Sequence, residues 1–143
     1  MSVCLRVKSG VLFDVRTPHG AIHAAPPAQR RMLSVCEQAT EVLRKDLTIT
    51  CGTDSHGVTD PHSRGTALDL RTRDLSQGQI LALHKFLKDE LGADFTVLYE
   101  VPEKPSGVLG AIAFVNPKAT ASHIHVQVRK GYPGAWPDGG KVQ

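Results

Sequence analysis

The sequence predicts an α+β domain in which a small, mostly antiparallel sheet packs against two main helices. Two observations indicate the helices: apolar residues recur at helical spacing over residues 28–45 and again over residues 80–91. A third indicates the sheet, because several short β-rich segments follow one another late in the chain with turn-rich connections between them. The 143 residues contain no internal repeat and no linker, so we expect one domain, residues 1–143. Its core should cover about residues 11–130, and the Gly- and Pro-rich tail, 131–143, should be flexible.

The first half of the chain predicts a strand, a helix and a second strand. Residues 11–15, VLFDV, have strand character, and a turn-rich connection leads from them to Pro26 and Pro27. Proline suits the first turn of a helix, so the helix should begin here and run to about residue 45. Its apolar stripe has helical spacing and consists of Met32, Val35, Cys36, Ala39, Val42 and Leu43. Residues 47–51, LTITC, then form a β-rich run.

A long polar loop and a second helix occupy the middle of the chain. Residues 52–65, GTDSHGVTDPHSRG, make a loop whose length is typical of functional loops in compact domains. The alternation in residues 66–72, TALDLRT, predicts a half-buried strand. Ser76 and Gln79 have the spacing of a capping box and should start the second helix, which Gly92 should end.

The remaining strands follow in the last third of the chain. Residues 95–101, FTVLYEV, predict a strand, and residues 102–110 predict a loop or hairpin leading to a further strand at 111–115. Residues 122–129, SHIHVQVR, alternate polar and apolar side chains and should close the sheet.

Composition and charge narrow the classes of protein. Hydrophobic residues make up 41% and charged residues 22%, which is typical of a globular chain. The net charge of +3 is too small to indicate a nucleic-acid partner, although it suits an anionic polymer. No apolar run reaches the roughly 20 residues of a membrane span, and the N-terminus lacks a signal peptide, so we expect cytoplasmic synthesis. Three cysteines without C-x-x-C spacing predict reduced thiols, not a disulfide framework or a thiolate zinc site.

Histidine and aspartate side chains mark the polar face of the predicted sheet. Residues i and i+2 of a strand share a face, so His123 and His125 should point the same way. Asp69 is out of phase with its apolar neighbours and should face a similar polar surface, while His62 lies in the loop that feeds its strand. Two histidines and one carboxylate, with a fourth position for water, are a catalytic zinc arrangement. The competing interpretation of each pair is a solvated strand face.

This pattern resembles the core motif of zinc D-alanyl-D-alanine carboxypeptidases and their phage-type endopeptidase relatives. Their motif is Ser-x-His-x-x-Gly-x-Ala-x-Asp, followed far downstream by His-x-His. In this chain it runs through His62, Ser63, Arg64, Gly65, Thr66, Ala67, Leu68 and Asp69, and then His123, Ile124 and His125. The resemblance covers about residues 47–129 and implies the hedgehog/DD-peptidase fold; the same metal geometry occurs in the hedgehog signalling domain and in lysostaphin-like peptidases.

The resemblance implies one zinc ion and a role for each motif residue. His62, Asp69 and His125 would bind the metal. His123 would be a non-ligand histidine beside it that stabilises an oxyanion or positions substrate. The chain departs from the motif at Asp60, where relatives usually have serine.

The chain also departs from the motif at the position of the general base. Many relatives carry a catalytic glutamate three residues before the last zinc histidine, where this chain has Ser122. Phage-type members more often place it at the end of the preceding strand, which corresponds here to Glu100. We therefore expect Glu100 to be the base, with Glu103 as the second choice.

The resemblance also implies the substrate class, namely D-Ala-containing peptides of bacterial peptidoglycan. Arg71 shares the predicted face of Asp69 and could bind a substrate carboxylate, and His56 could line the substrate cleft. We expect a monomer with no nucleic-acid and no membrane partner, acting as a phage lysin or a wall-remodelling enzyme. Carboxypeptidase and endopeptidase specificity both stay open.

A non-catalytic zinc module is the alternative from another class of protein. Hedgehog domains have this metal geometry in proteins whose role is binding. The serine at position 122 favours such a module if Glu100 lies far from the metal.

Overall fold

A computed structural model describes residues 2–11, 15–16, 22–23, 27–51 and 67–129 of the chain. Over these residues it has two α-helices, a six-stranded mixed sheet and a small two-stranded ribbon, so the α+β class is confirmed. In chain order the elements are β1 (Leu5–Val7), β2 (Val15–Arg16), β3 (Ile22–His23), α1 (Pro27–Leu43), β4 (Leu47–Cys51), β5 (Ala67–Arg71), α2 (Gln77–Leu91), β6 (Phe95–Val101), β7 (Ala113–Val115) and β8 (His123–Val128).

The large sheet has the strand order β1-β4-β5-β8-β6-β7. Its three central pairings, β4 with β5, β5 with β8 and β8 with β6, are antiparallel. The two edge strands join in parallel, β1 beside β4 and β7 beside β6. The sheet is therefore mixed, and its antiparallel part is the centre, which carries Asp69, Arg71, Glu100, His123 and His125.

The connection between β6 and β7 is not the hairpin that the sequence left as one option. A 3₁₀ turn at Gly107–Ala111 carries the chain back, so that β7 runs in the same direction as β6. Parallel neighbours cannot be joined by a tight hairpin, because the chain must first return to the end at which it started.

The two helices form where the capping and apolar signals predict them. α1 begins at Pro27, and α2 begins after Ser76, whose side chain accepts from the backbone N–H of Gln79 while the Gln79 side chain accepts from the N–H of Ser76. α2 ends at Gly92, whose φ of 75° lies in the left-handed region that favours glycine.

One buried apolar cluster joins both helices to one face of the sheet. It includes side chains of α1 and α2 together with alternate residues of the central strands, among them Leu68, Leu70, Ile124 and Val126. These four strand residues have no exposed surface. Because alternate side chains point to opposite faces, their polar neighbours on β5 and β8 must lie on the other side of the sheet.

Two further features of the described residues are the burial of the cysteines and the character of the helices. Cys36 and Cys51 are buried and Cys4 is exposed. Burial, helped by the charge of Glu37, raises the pKa of the Cys36 thiol to about 12, so this thiol stays protonated and unreactive. Neither described helix has the length and apolar character needed to cross a bilayer.

Candidate metal site

Strand register brings the polar residues of three strands together on the face opposite the core. Asp69 of β5 lies directly opposite His125 of β8, and Arg71 lies opposite His123. His123 in turn lies opposite Glu100 of β6. Residues directly opposite one another in antiparallel strands share a face and lie within about 5 Å of each other at the backbone. The pairing therefore forces these five side chains into one group.

Three short contacts connect the acidic and histidine side chains. The ring nitrogen Nδ1 of His125 lies 2.8 Å from Oδ1 of Asp69. Nε2 of His123 lies 2.8 Å from Oε1 of Glu100 and 3.7 Å from Oδ1 of Asp69. The four side chains are only 13% to 20% exposed, so their charges interact with little screening by water.

Asp69, His123 and His125 form a group that could hold a metal ion. One donor atom from each lies within 4.8 Å of the other two. In a tetrahedral zinc site with bonds of about 2.0–2.1 Å, two ligand atoms lie about 3.3 Å apart. The separations of 2.8 Å and 3.7 Å from Asp69 Oδ1 bracket that value. The donor chemistry, nitrogen and carboxylate oxygen, also suits zinc.

The two histidines are held by different neighbours. His123 donates from Nδ1 to the backbone carbonyl of Ala121 at 3.2 Å, which directs its Nε2 towards Glu100 and Asp69. His125 is placed the other way round, since Nδ1 faces Asp69 and Nε2 lies 2.9 Å from Oε1 of Gln127.

The surroundings of His125 favour its charged form. Burial acts to lower the pKa of His125, but the hydrogen bonds with Asp69 and Gln127 and the negative charges of Asp69 and Glu100 outweigh burial and raise it. A divalent cation would meet the same negative surroundings, and it would replace the proton on the ring nitrogen that faces Asp69.

The group lines a groove of about 910 Å³ that is also lined by cationic side chains. Besides the cluster, the groove is lined by residues from the ends of β4, β5 and β6 and from the segment 116–122. Among the described residues, four cationic side chains line it, namely Lys8, Arg71, Arg73 and Lys118. Within the part of the chain that the structure describes, none of the four forms an ion pair with a carboxylate. The groove therefore offers an anionic ligand both a metal-binding group and unpaired positive charge.

Five of the predicted site residues line the groove, one described residue does not, and two lie outside the described residues. Asp69, His123, His125 and Glu100 share one cluster, and Arg71 lines the same groove. Glu103, the second choice of base, is exposed and does not line the groove. The other predicted ligand, His62, and the predicted cleft residue, His56, lie outside the described residues, so both stay predictions.

Gln127 is a site residue that the sequence interpretation missed. The i, i+2 rule that groups His123 with His125 also groups His125 with Gln127, and it could have found the residue.

Comparison of the chain with protein-family models, with curated proteins and with solved structures found no match.

Proposed function

We propose that the protein is a zinc-dependent metallopeptidase of the hedgehog/DD-peptidase fold that hydrolyses amide bonds in D-Ala-containing peptides of bacterial peptidoglycan. One observation carries the proposal: Asp69, His123 and His125 form a group that could hold a metal, with Glu100 beside it, and all four line one groove. A metal-binding group with an adjacent carboxylate is the minimum that metal-assisted hydrolysis requires. The substrate class rests on the resemblance of the sequence motif.

Within this group we propose Asp69 and His125 as zinc ligands, with His62 as the third protein ligand. Two distances support a different role for His123. Its Nε2 lies 0.9 Å closer to Glu100 than to Asp69, at 2.8 Å against 3.7 Å. His123 is thus paired with the acid, and an imidazole N–H there can stabilise negative charge on a substrate oxygen.

The proposed chemistry assigns one task to each remaining group. A bound zinc ion supplies Lewis-acid chemistry, which polarises a carbonyl and acidifies water. Glu100 takes the proton of the attacking water and later passes it to the leaving amine. Since Oε1 of Glu100 is the atom that contacts His123, the second carboxylate oxygen is the one that meets the water. His123 hydrogen-bonds the oxygen on which negative charge develops.

The cationic side chains that line the groove support an anionic substrate. Arg71 is half-buried, lies directly opposite His123, and has no carboxylate partner among the described residues. A guanidinium in this position can bind a carboxylate through two parallel hydrogen bonds. Peptidoglycan stem peptides carry such carboxylates.

The test is hydrolysis of purified peptidoglycan by the zinc-loaded protein and two matched variants. Glu100→Gln removes the proposed base without changing its size and should slow hydrolysis by about 10²–10⁴-fold. Glu103→Gln makes the same chemical change a few residues away at an exposed position and should leave the rate unchanged. Muropeptide products would be followed by liquid chromatography with mass spectrometry. Equal rates for the wild type and Glu100→Gln would exclude Glu100 as the base.

The same experiment separates the enzyme from a non-catalytic hedgehog-like zinc module. Such a module would bind one zinc ion per chain and leave peptidoglycan intact. A wild-type protein that binds zinc stoichiometrically but releases no peptide fragments would therefore favour the module. A protein that binds no zinc would exclude both.

A further inference from the structure

Gln127 contacts the side of the His125 ring that faces away from Asp69. The two residues are i and i+2 on β8, so both side chains lie on the polar face of the sheet. Oε1 of Gln127 lies 2.9 Å from Nε2 of His125, while Nδ1 of the same ring lies 2.8 Å from Asp69 Oδ1. The imidazole is thus clamped at both nitrogens by side chains of two neighbouring strands.

The geometry decides which ring nitrogen can meet a metal. An ion that touches both Asp69 Oδ1 and His125 must lie on the Nδ1 side of the ring, because Nε2 points towards Gln127. A neutral imidazole carries one proton, so a ring that binds metal through Nδ1 must hold its proton on Nε2. A carbonyl oxygen of an amide can only accept a hydrogen bond, and it therefore stabilises the Nε2–H form.

We propose that Gln127 is a positioning residue that fixes the Nε2–H tautomer of His125 and so presents Nδ1 to the metal. The inference rests on the proposed metal site, and it holds whether His62 or His123 is the third ligand. Gln127 acts through His125 and touches neither the metal nor the substrate. Outer residues of this kind orient ligand rings and raise their basicity, and their loss weakens metal binding about 10–100-fold.

Two substitutions of Gln127 distinguish the effect of its hydrogen bond on zinc affinity from the effect of its side-chain size. Gln127→Met keeps nearly the same length but has no amide acceptor, so zinc affinity should fall about 10–100-fold. Gln127→Glu keeps an acceptor at the same distance, and it should hold affinity at or above the wild-type value. Thr96→Val is the matched control, because Thr96 is the direct partner of Gln127 on β6 and its substitution leaves the bond to His125 intact. Its zinc affinity should equal that of the wild type.

Affinities would be measured by competition with a chromophoric chelator, which needs no enzyme activity. A second measurement needs no variant: ¹⁵N NMR of the zinc-loaded wild type should show His125 with its proton on Nε2 and metal on Nδ1. Circular dichroism would confirm that each variant folds.

The outcomes distinguish this inference from the proposed function. Loss of affinity in Gln127→Met, retention in Gln127→Glu and an Nε2–H spectrum would support the inference. Equal affinity in all variants, or metal on Nε2, would overturn it while the metal site stands. A wild-type protein that binds no zinc would overturn the proposed function, and this inference with it.

Discussion

The proposed zinc site has two candidates for its third protein ligand beside Asp69 and His125, namely His62 and His123. The motif assigns this role to His62, whereas His123 is the histidine that the described residues bring within reach. Their substitutions should therefore have different effects on two separate quantities, zinc affinity and turnover.

We expect His62→Ala to lower zinc affinity by orders of magnitude, because it removes one of three protein ligands. His123→Ala should keep most of the zinc affinity and reduce kcat, because it removes a group that stabilises charge in the transition state. Chelator competition measures the first quantity and peptidoglycan hydrolysis the second. Strong zinc binding by His62→Ala together with weak binding by His123→Ala would reverse the assignment.

His84 on α2 gives a prediction on pH and stability that is independent of the metal site. Burial, together with the charge of Lys88, lowers the pKa of His84 below its ordinary value of 6.5, and a hydrogen bond to the backbone of Val97 acts more weakly in the other direction. The folded protein therefore resists protonation of His84 more than the unfolded chain does. As the pH falls below 6.5 and through the folded pKa, the unfolded chain takes up the proton first, and stability is lost.

The substitution His84→Gln should remove this part of the pH dependence. The free energy of unfolding, measured by urea titration at several pH values from 7.5 to 5, should fall less steeply in the variant than in the wild type. Titration of the other histidines is common to both proteins and cancels in the difference. Parallel curves for the two proteins would show that His84 has the same pKa in both states.

The sequence pattern was most informative at residues whose role follows from strand periodicity. Asp69, His123 and His125 were predicted to face the polar side because each is out of phase with apolar neighbours, and the register places them together. Gln127 was not predicted because a polar residue on a half-exposed strand is common, and its hydrogen bond to the His125 ring is visible only in the structure. Periodicity predicts a shared face but not which nitrogen of an imidazole meets which partner.

At the scale of elements, the capping box of α2 predicts a measurable contribution to stability. Ser76→Ala removes the side-chain acceptor for the N–H of Gln79 and should lower the free energy of unfolding by about 1 kcal/mol. The control is Ser106→Ala, at the start of the 3₁₀ turn Gly107–Ala111, where the serine side chain makes no capping hydrogen bond. Urea unfolding should show a change for the first variant only. Equal losses of unfolding free energy in the two variants would mean that the capping-box hydrogen bonds add nothing to stability.

Long elements with a strong pattern were predicted closely, whereas the short edge strand β1 was not. β1 has only three residues, Leu5–Val7, which is too short for alternation to be recognised. It is held by parallel pairing with β4 and by Asp46, which accepts hydrogen bonds from the N–H of Cys4 and from Nε of Arg6. These contacts span about 40 residues of sequence, so no local window contains them. The parallel direction of β7 was missed for a related reason, since direction depends on the partner strand and not on residues 113–115 themselves.

At the scale of the whole molecule, zinc should stabilise the fold if Asp69 and His125 bind it. A ligand at about 100 times its Kd that binds only the folded state contributes about 2.7 kcal/mol. For a chain of this size that corresponds to a rise in Tm of roughly 6–11 °C. Differential scanning fluorimetry with zinc and with EDTA measures the shift. Asp69→Asn keeps the size of the side chain and should abolish most of it, whereas the exposed Asp89→Asn on α2 should not.

The direct opposition of Asp69 and His125 also makes the site a reporter of correct folding. Side chains alternate between faces, so a slip of β8 by one residue against β5 would turn Ile124 and Val126 towards the groove and both histidines towards the apolar core. An ion that needs donors from both strands binds only chains in the native register. During refolding, the rate at which a chain acquires tight metal affinity therefore measures how fast its two central strands find each other in the correct alignment.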